Sequence, residues 1–182
     1  MSQRPLIVLL EIAMIAGIAL ILNNVIAIKL WPQGGSISLV MVPIVILAFR
    51  RGWGAGVLAG LIVGLLDLMI APYIVHPAQV VLDYPLAFAA LGMAGVVKLK
   101  EAPLKDQLGL IAMAVTFAGA LRLAAHFTSG VIWFGQYAPE GFSPVLYSLA
   151  YNASYIVPDI LLSILVMVVL VTKAPQLVTR PQ

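Results

Sequence analysis

Residues 121–152 read LRLAAHFTSGVIWFGQYAPEGFSPVLYSLAYN. The first half is apolar but carries Arg122, His126, Ser129 and Trp133, spaced i, i+4, i+7 and i+11. On a helix those positions share one face. Tyr137, Pro139, Gly141 and Pro144 then mark a turn, and a second apolar stretch brings Tyr147, Ser148, Tyr151 and Asn152. An oily helix with an arginine, a histidine and a tryptophan on one stripe does not turn that stripe to lipid. Ionisable groups inside a bilayer are expensive and face a partner, a cavity or a substrate.

The rest of the chain supports a membrane reading of this hairpin. Of its 182 residues, 63% are hydrophobic and 9% charged, against about 25% charged in a soluble domain. A chain of this length cannot bury so much apolar surface in its own core. The expected fold class is therefore an all-α integral membrane protein, one compact domain over residues 1–182. A formal charge of +3 spread over few groups is no nucleic-acid patch, and Cys 0 excludes disulfides and thiolate metal sites. His76 and His126 are too few for a histidine-built metal centre, so no metal site is expected.

Six membrane segments are expected, at about 6–28, 37–49, 54–71, 78–97, 108–134 and 145–172. The first follows MSQRP and runs longer than the roughly 7–15 apolar residues of a signal-peptide core, so it reads as a retained helix. Asn23 and Asn24 break it near its end. The second is short and contains Pro43. With six spans, Arg4, Arg50, Arg51, Lys98, Lys100, Lys105, Lys173 and Arg180 fall on one side, leaving Lys29 opposite and Arg122 inside. The positive-inside rule then predicts that both termini are cytoplasmic. The outer connections are KLWPQGGS (29–36), PYIVHP (72–77) and FGQYAPEGF (134–142), and they hold the aromatic and polar chemistry, including Trp31, Tyr73 and His76.

Gly52, Gly56, Gly60 and Gly64 place a small residue at every fourth position of the third segment, which predicts close helix packing within the bundle. Ala13 and Gly17 repeat the spacing in the first segment, with Ala16 and Ala19 alongside, and there partner docking and internal packing both stand open.

Asp83 lies in AQVVLDYPLAF, with Gln79 one turn earlier and Tyr84 and Pro85 following. A carboxylate at this depth needs a cation or several donors. It either pairs with Arg122 or serves as counter-charge for a cationic ligand. Asp67, near an outer end, reads as solvated, and Asp159 as half of a structural pair. Trp133, Phe134, Tyr137, Tyr147 and Tyr151 cluster near the outer ends of the last two segments. Any one ring fits an interfacial aromatic belt. Together with His126, Asn152 and a carboxylate they would make a pocket for a flat heteroaromatic cation. No G-x-x-x-x-G-K-[ST] loop is present, and Ser129 with His126 lacks a G-x-S-x-G elbow, so no catalytic residues are expected and the chain does not read as an enzyme.

GGSISLVMVPIVILAFRRGWGAGVLAG (34–60), LDYPLAFAALGMAG (82–95), HFTSGVIWFGQYAPEG (126–141) and YSLAYN (147–152) together resemble one family over nearly the whole chain. It is that of the thiamine-specific substrate-binding subunits (S-components, ThiT type) of energy-coupling factor (ECF) transporters. The resemblance implies a six-helix bundle in the plasma membrane of a prokaryote, multi-pass, with an outward-facing thiamine pocket closed by the loop between segments 1 and 2. It implies no cofactor, with ATP bound only by partner subunits: a transmembrane coupling subunit and two ATPases. Asp83 falls on the family's acidic pocket position, usually a glutamate, with Tyr84 beside it. His126, Gly130, Trp133, Phe134, Tyr147, Ser148 and Asn152 fall on pocket positions, and Trp31 and Tyr73 near outer-loop contacts. Ala13 and Gly17 fall on the docking motif, with glycine where alanine is common. The alternatives are a self-sufficient proton-coupled transporter of a small organic cation, using Asp83, Arg122 and His126, and a membrane scaffold without ligand.

Overall fold

The computed structural model describes residues 4–29, 31–99 and 103–179. Lys100 and Arg180, two of the basic residues assigned above to one side, lie outside the described residues. Among the described residues six main helical elements succeed one another, α1 Arg4–Asn24, α2 Met41–Arg51, α3 Trp53–Ile70, α4 Pro77–Val96, α5 Leu108–Trp133 and α6 Pro144–Lys173, with short 3-10 turns at Leu104–Gln107, Gly135–Tyr137 and Pro175–Leu177. Among the described residues there is no strand, only an isolated antiparallel bridge between Ile28 and Ile37. Five helices, all but α2, are long and apolar enough to cross a membrane.

α1 shows why such a chain suits lipid. Its large side chains Leu6, Leu10, Met14, Ile18 and Ile21 point outward and are exposed, while Ile12, Ala16, Ala19 and Asn23 form the buried stripe. Small residues inside and large ones outside is the pattern of a helix whose neighbours approach closely and whose outer surface meets hydrocarbon. The same logic joins α3 to α4. A Cβ added at Gly60 would run into the Phe88 carbonyl, and one at Gly64 into that of Tyr84. The glycine repeat therefore packs inside the bundle, where the sequence put it.

α2 departs from expectation. Its 11 residues span about 16 Å at 1.5 Å each, half of a roughly 30 Å hydrocarbon core. It is buried nearly all round, from Met41 to Phe49. Pro43 sits in its first turn, where the missing N–H costs nothing because that turn has no intrahelical acceptor. The expected start at 37 is not helical: residues 31–40 run back into the bundle, with Ser38 and Val40 buried. Irregular backbone at this depth is tolerated where protein satisfies it, and the Asp159 carboxylate does so by accepting the Ser38 N–H at 2.6 Å. Gly52, at φ +92°, turns the chain sharply from α2 into α3.

α4 is four helical pieces in one rod: α over Pro77–Val81, π over Leu82–Leu86, α over Ala87–Leu91 and 3-10 over Gly92–Val96. Pro85 lies in the wide π turn, consistent with its lack of an N–H to close a tight one. At one end of the bundle the Glu11 carboxylate accepts from Arg51 Nε at 2.7 Å and Arg50 Nη2 at 3.3 Å. Arg50 Nη1 also donates to the Gln176 carbonyl at 2.9 Å. This knot joins the first half of α1, the α2–α3 elbow and the turn that follows α6. The opposite end holds the cavity.

Candidate functional site

A cavity of about 210 Å³ opens among the ends of all these elements except α2. At roughly 30 Å³ per water it holds the equivalent of about seven waters, room for a small organic molecule rather than a polymer segment. α4 contributes Gln79, Asp83, Tyr84 and Phe88. The steps from 79 to 84 and from 83 to 88 are five residues, the π repeat, so the wide turn is what aligns this wall. α5 and its C-terminal cap contribute Arg122, His126, Gly130 and Phe134, each four residues from the last. α6 contributes Tyr147, Ser148, Tyr151, Asn152 and Tyr155.

The expected face of α5 therefore drifts by one residue along its length. Ser129 and Trp133 leave the wall, and Gly130 and Phe134 take it. Trp133 stacks on His76 instead, ring centroids 5.2 Å apart and planes 18° apart. Of the other expected residues, Asp83, Tyr84, His126, Gly130, Phe134, Tyr147, Ser148, Asn152, Trp31 and Tyr73 all line the cavity. Ala13 and Gly17 are far along α1: Ala13 is exposed, and nothing lies within 4 Å of a Cβ built at Gly17.

Asp83 is held from three sides. Its Oδ2 accepts from Gln79 Nε2 and Ser129 Oγ, both at 2.8 Å, and its Oδ1 lies 3.2 Å from His126 Nδ1. With the proton on Nδ1, the network assigns His126 Nε2 as a bare acceptor, and that atom is buried with no partner. Gln79 also accepts the Val75 N–H and donates to the Tyr73 carbonyl, which fixes the α3–α4 loop. The possible Asp83–Arg122 pair does not form. Arg122 Nη1 instead donates to Asp159 at 2.9 Å, both side chains almost fully buried, and its guanidinium lies 5.2 Å from the Phe88 ring centre. Asp67, expected in solvent, is 9% exposed and accepts from Asn23 and Asn24.

The α5–α6 seam is closed by polar bonds. Ser148 Oγ donates to the Phe127 carbonyl at 2.8 Å. Asn152 Nδ2 donates across it to the His126 carbonyl at 3.3 Å and, within α6, to the Ser148 carbonyl at 2.9 Å, while its Oδ1 accepts from Tyr155 at 2.6 Å. Loop 31–36 lies over the cavity and is tied to α6. Tyr151 Oη donates to the Gly34 carbonyl and accepts the Gln33 N–H, and Trp31 Nε1 donates to Ser154 Oγ. Gly34 and Gly35 both take left-handed φ, +94° and +98°. A Cβ on Gly35 would stand 2.6 Å from the Tyr155 ring. On another side the Tyr73 and Tyr137 hydroxyls are 3.3 Å apart. That bond, then partial burial, holds the Tyr73 phenol above its usual value. Among the described residues no group of three His, Cys, Asp or Glu side chains is arranged for a metal.

The cavity residues that were not expected still carry a sequence signal. Asn23, Asn24 and Asp67 are polar groups in apolar runs, which predicts an inward role. Phe88 and Tyr155 are the next residues along stripes already identified at Tyr84 and Tyr151.

A family model described as "Thiamine transporter protein (Thia_YuaJ)" matches residues 9–179. The chain is 40% identical over 184 residues to the thiamine transporter ThiT of Bacillus subtilis (strain 168), spanning 97% of this chain and 96% of that protein. It is 32% identical over 191 residues to ThiT of Lacticaseibacillus paracasei, with coverage of 97% and 92%. A solved structure of ThiT from Listeria monocytogenes superposes with a TM-score of 0.86 at 31% identity, over 97% of this chain and 99% of that one. These relatives are named as transporters, a non-enzymatic function. With its apolar helices, this chain is a multi-pass helical membrane protein, and it belongs to the thiamine transporter protein family, Thia_YuaJ.

Proposed function

We propose that this chain is the substrate-binding subunit of a vitamin uptake system and takes thiamine from the outer face into the cavity. The observation that carries this reading is the cavity's chemistry: tyrosines, Trp31 and Phe134 around a carboxylate whose rotamer is fixed by three side chains. Thiamine is a flat aminopyrimidine joined to a cationic thiazolium. Formally, the cavity wall sets Asp67 and Asp83 against Lys29, while Arg122 is paired with Asp159 behind it, which leaves one negative charge when His126 is counted as uncharged. One bound organic cation balances it. Aromatic faces attract that cation, and the Asp83 carboxylate accepts from the aminopyrimidine or offsets the thiazolium. His126 Nε2 offers a further acceptor to the ligand's edge.

In this reading α2 and the buried loop before it make the sixth crossing. The Glu11–Arg50–Arg51 knot, Lys98 and Lys173 mark the cytoplasmic end, with both termini there, in the plasma membrane. Ala13 and Gly17 leave the outward side of α1 flat enough for a coupling subunit to approach closely. Two ATPases on that subunit supply the energy, and the chain itself uses no cofactor. Uptake of labelled thiamine into proteoliposomes separates this from the self-sufficient transporter. Accumulation that needs the coupling module and ATP supports the proposal. Accumulation by the chain alone under a proton gradient overturns it.

A further inference from the structure

The cavity holds two carboxylates of different standing. Both oxygens of Asp83 have protein partners: Oδ1 beside His126 Nδ1, Oδ2 accepting from Gln79 and Ser129. Asp67, near the end of α3, accepts from Asn23 Nδ2 at 2.9 Å and Asn24 Nδ2 at 2.8 Å, and both bonds fall on Oδ1. Among the described residues, Oδ2 takes no donor and Asp67 makes no ion pair. Oδ2 is not one of the buried, unpartnered atoms, so it is open to the cavity that Asp67 lines. The cations nearby are engaged elsewhere: Arg122 on Asp159, and Lys29 Nζ on Asn24 Oδ1 at 3.3 Å.

A side chain that is 9% exposed and carries a charge without an ion pair is destabilising unless something meets that charge. Two neutral amides on one oxygen orient the carboxylate without neutralising it. A purely structural acceptor for α1 would be served as well by a neutral carbonyl. We infer that Asp67 is a ligand-contacting residue of this cavity, its free Oδ2 supplying counter-charge to a small organic cation; this rests on the binding role proposed above. The asparagines that aim it form the last turn of α1, so a carboxylate carried by α3 is oriented by the helix that carries Ala13 and Gly17.

The test is calorimetric titration of the full chain in detergent with thiamine and, in parallel, with the neutral aminopyrimidine fragment that lacks the thiazolium. Asp67→Asn keeps the shape and the Asn23 and Asn24 contacts while removing the charge. The expected result is a loss of thiamine affinity of about tenfold or more, with the fragment changed by less than about threefold. Unchanged thiamine affinity, or equal losses for both compounds, overturns the inference. Should Asp67→Asn not fold, Asp67→Glu moves the charge by one methylene. It is expected to alter thiamine affinity and spare the fragment, and no change in either contradicts a direct contact. Wild-type protein that is folded and binds neither compound overturns the binding role itself, an outcome distinct from a failure confined to the variants.

Discussion

Replacing Arg122 by methionine keeps most of the stem and removes the guanidinium. Asp159, 0% exposed, then loses its ion-pair partner, Arg122 Nη1 at 2.9 Å, and keeps the Ser38 N–H donor at 2.6 Å. Removing one partner of a buried ion pair costs about 3–5 kcal/mol, because the other charge stays behind uncompensated. At about 2–4 °C per kcal/mol for a chain of this size, the midpoint of thermal unfolding in detergent should fall by about 6–20 °C. Arg122→Met combined with Asp159→Leu removes both charges and should recover much of the loss. Recovery stays incomplete, since the buried Ser38 N–H is then left bare at about 1–3 kcal/mol. The assay is tryptophan fluorescence against temperature for wild type, both single variants and the double. A single Arg122→Met shift under about 2 °C, or a double variant less stable than that single one, would refute the reasoning that this pair clamps the loop before α2 into the bundle.

Gly60→Ala should lower the thermal midpoint through about 1–3 kcal/mol of overpacking, since its methyl meets the Phe88 carbonyl, whereas Gly54→Ala, with open space around it, should not lower it. Gly130→Ala puts a methyl where Ser148 Oγ stands and 3.1 Å from Asn152 Nδ2. Thiamine affinity should drop by about tenfold or more, and an unchanged titration curve would contradict the placement of that wall. The Tyr73 phenol, bonded to Tyr137, ionises later in the folded chain than in the unfolded one. Its contribution to stability is thus complete below about pH 10 and fades as pH rises through the folded value. Tyr73→Phe should flatten that alkaline fall in the thermal midpoint, and parallel curves for the two proteins would count against it.

Most of the bundle was legible in the sequence because membrane helices announce themselves by length and apolarity. α3, α5 and α6 begin and end within a residue or so of their apolar runs. The failure at α2 has a physical cause: residues 37–40 are as apolar as a helix but form a bridge residue and a turn ahead of it. What holds them is a bond from Ser38 to Asp159, far away in the chain, and no local pattern encodes that. The π turn of α4 was hidden for a related reason. Pro85 signals an irregularity but not its kind, and the wide turn decides that Gln79, Asp83, Tyr84 and Phe88 share a wall.

The site was legible to the extent that polar residues in oily helices must turn inward. That argument reached Asp83, His126 and Asn152. It set Trp133 on the stripe of Arg122 and His126; the wall drifts by one residue along α5, so Phe134 lines the cavity while Trp133 stacks on His76, and a helical repeat cannot decide between neighbours near a helix end. It paired Asp83 with Arg122 as one option, because charge alone does not choose among carboxylates. The choice is made in three dimensions, where Asp159 lies against Arg122 and Gln79, Ser129 and His126 surround Asp83.

The most direct test of the central claim is a thiamine titration of the purified chain in detergent, monitored by the fluorescence of Trp31, which lines the cavity. Trp53 and Trp133 are replaced by phenylalanine so that Trp31 alone reports. Saturable quenching at low thiamine concentration, competed by excess non-quenching analogues that keep the thiazolium, is the predicted result. Folded protein whose Trp31 emission and thermal midpoint stay constant at every thiamine concentration would contradict the account.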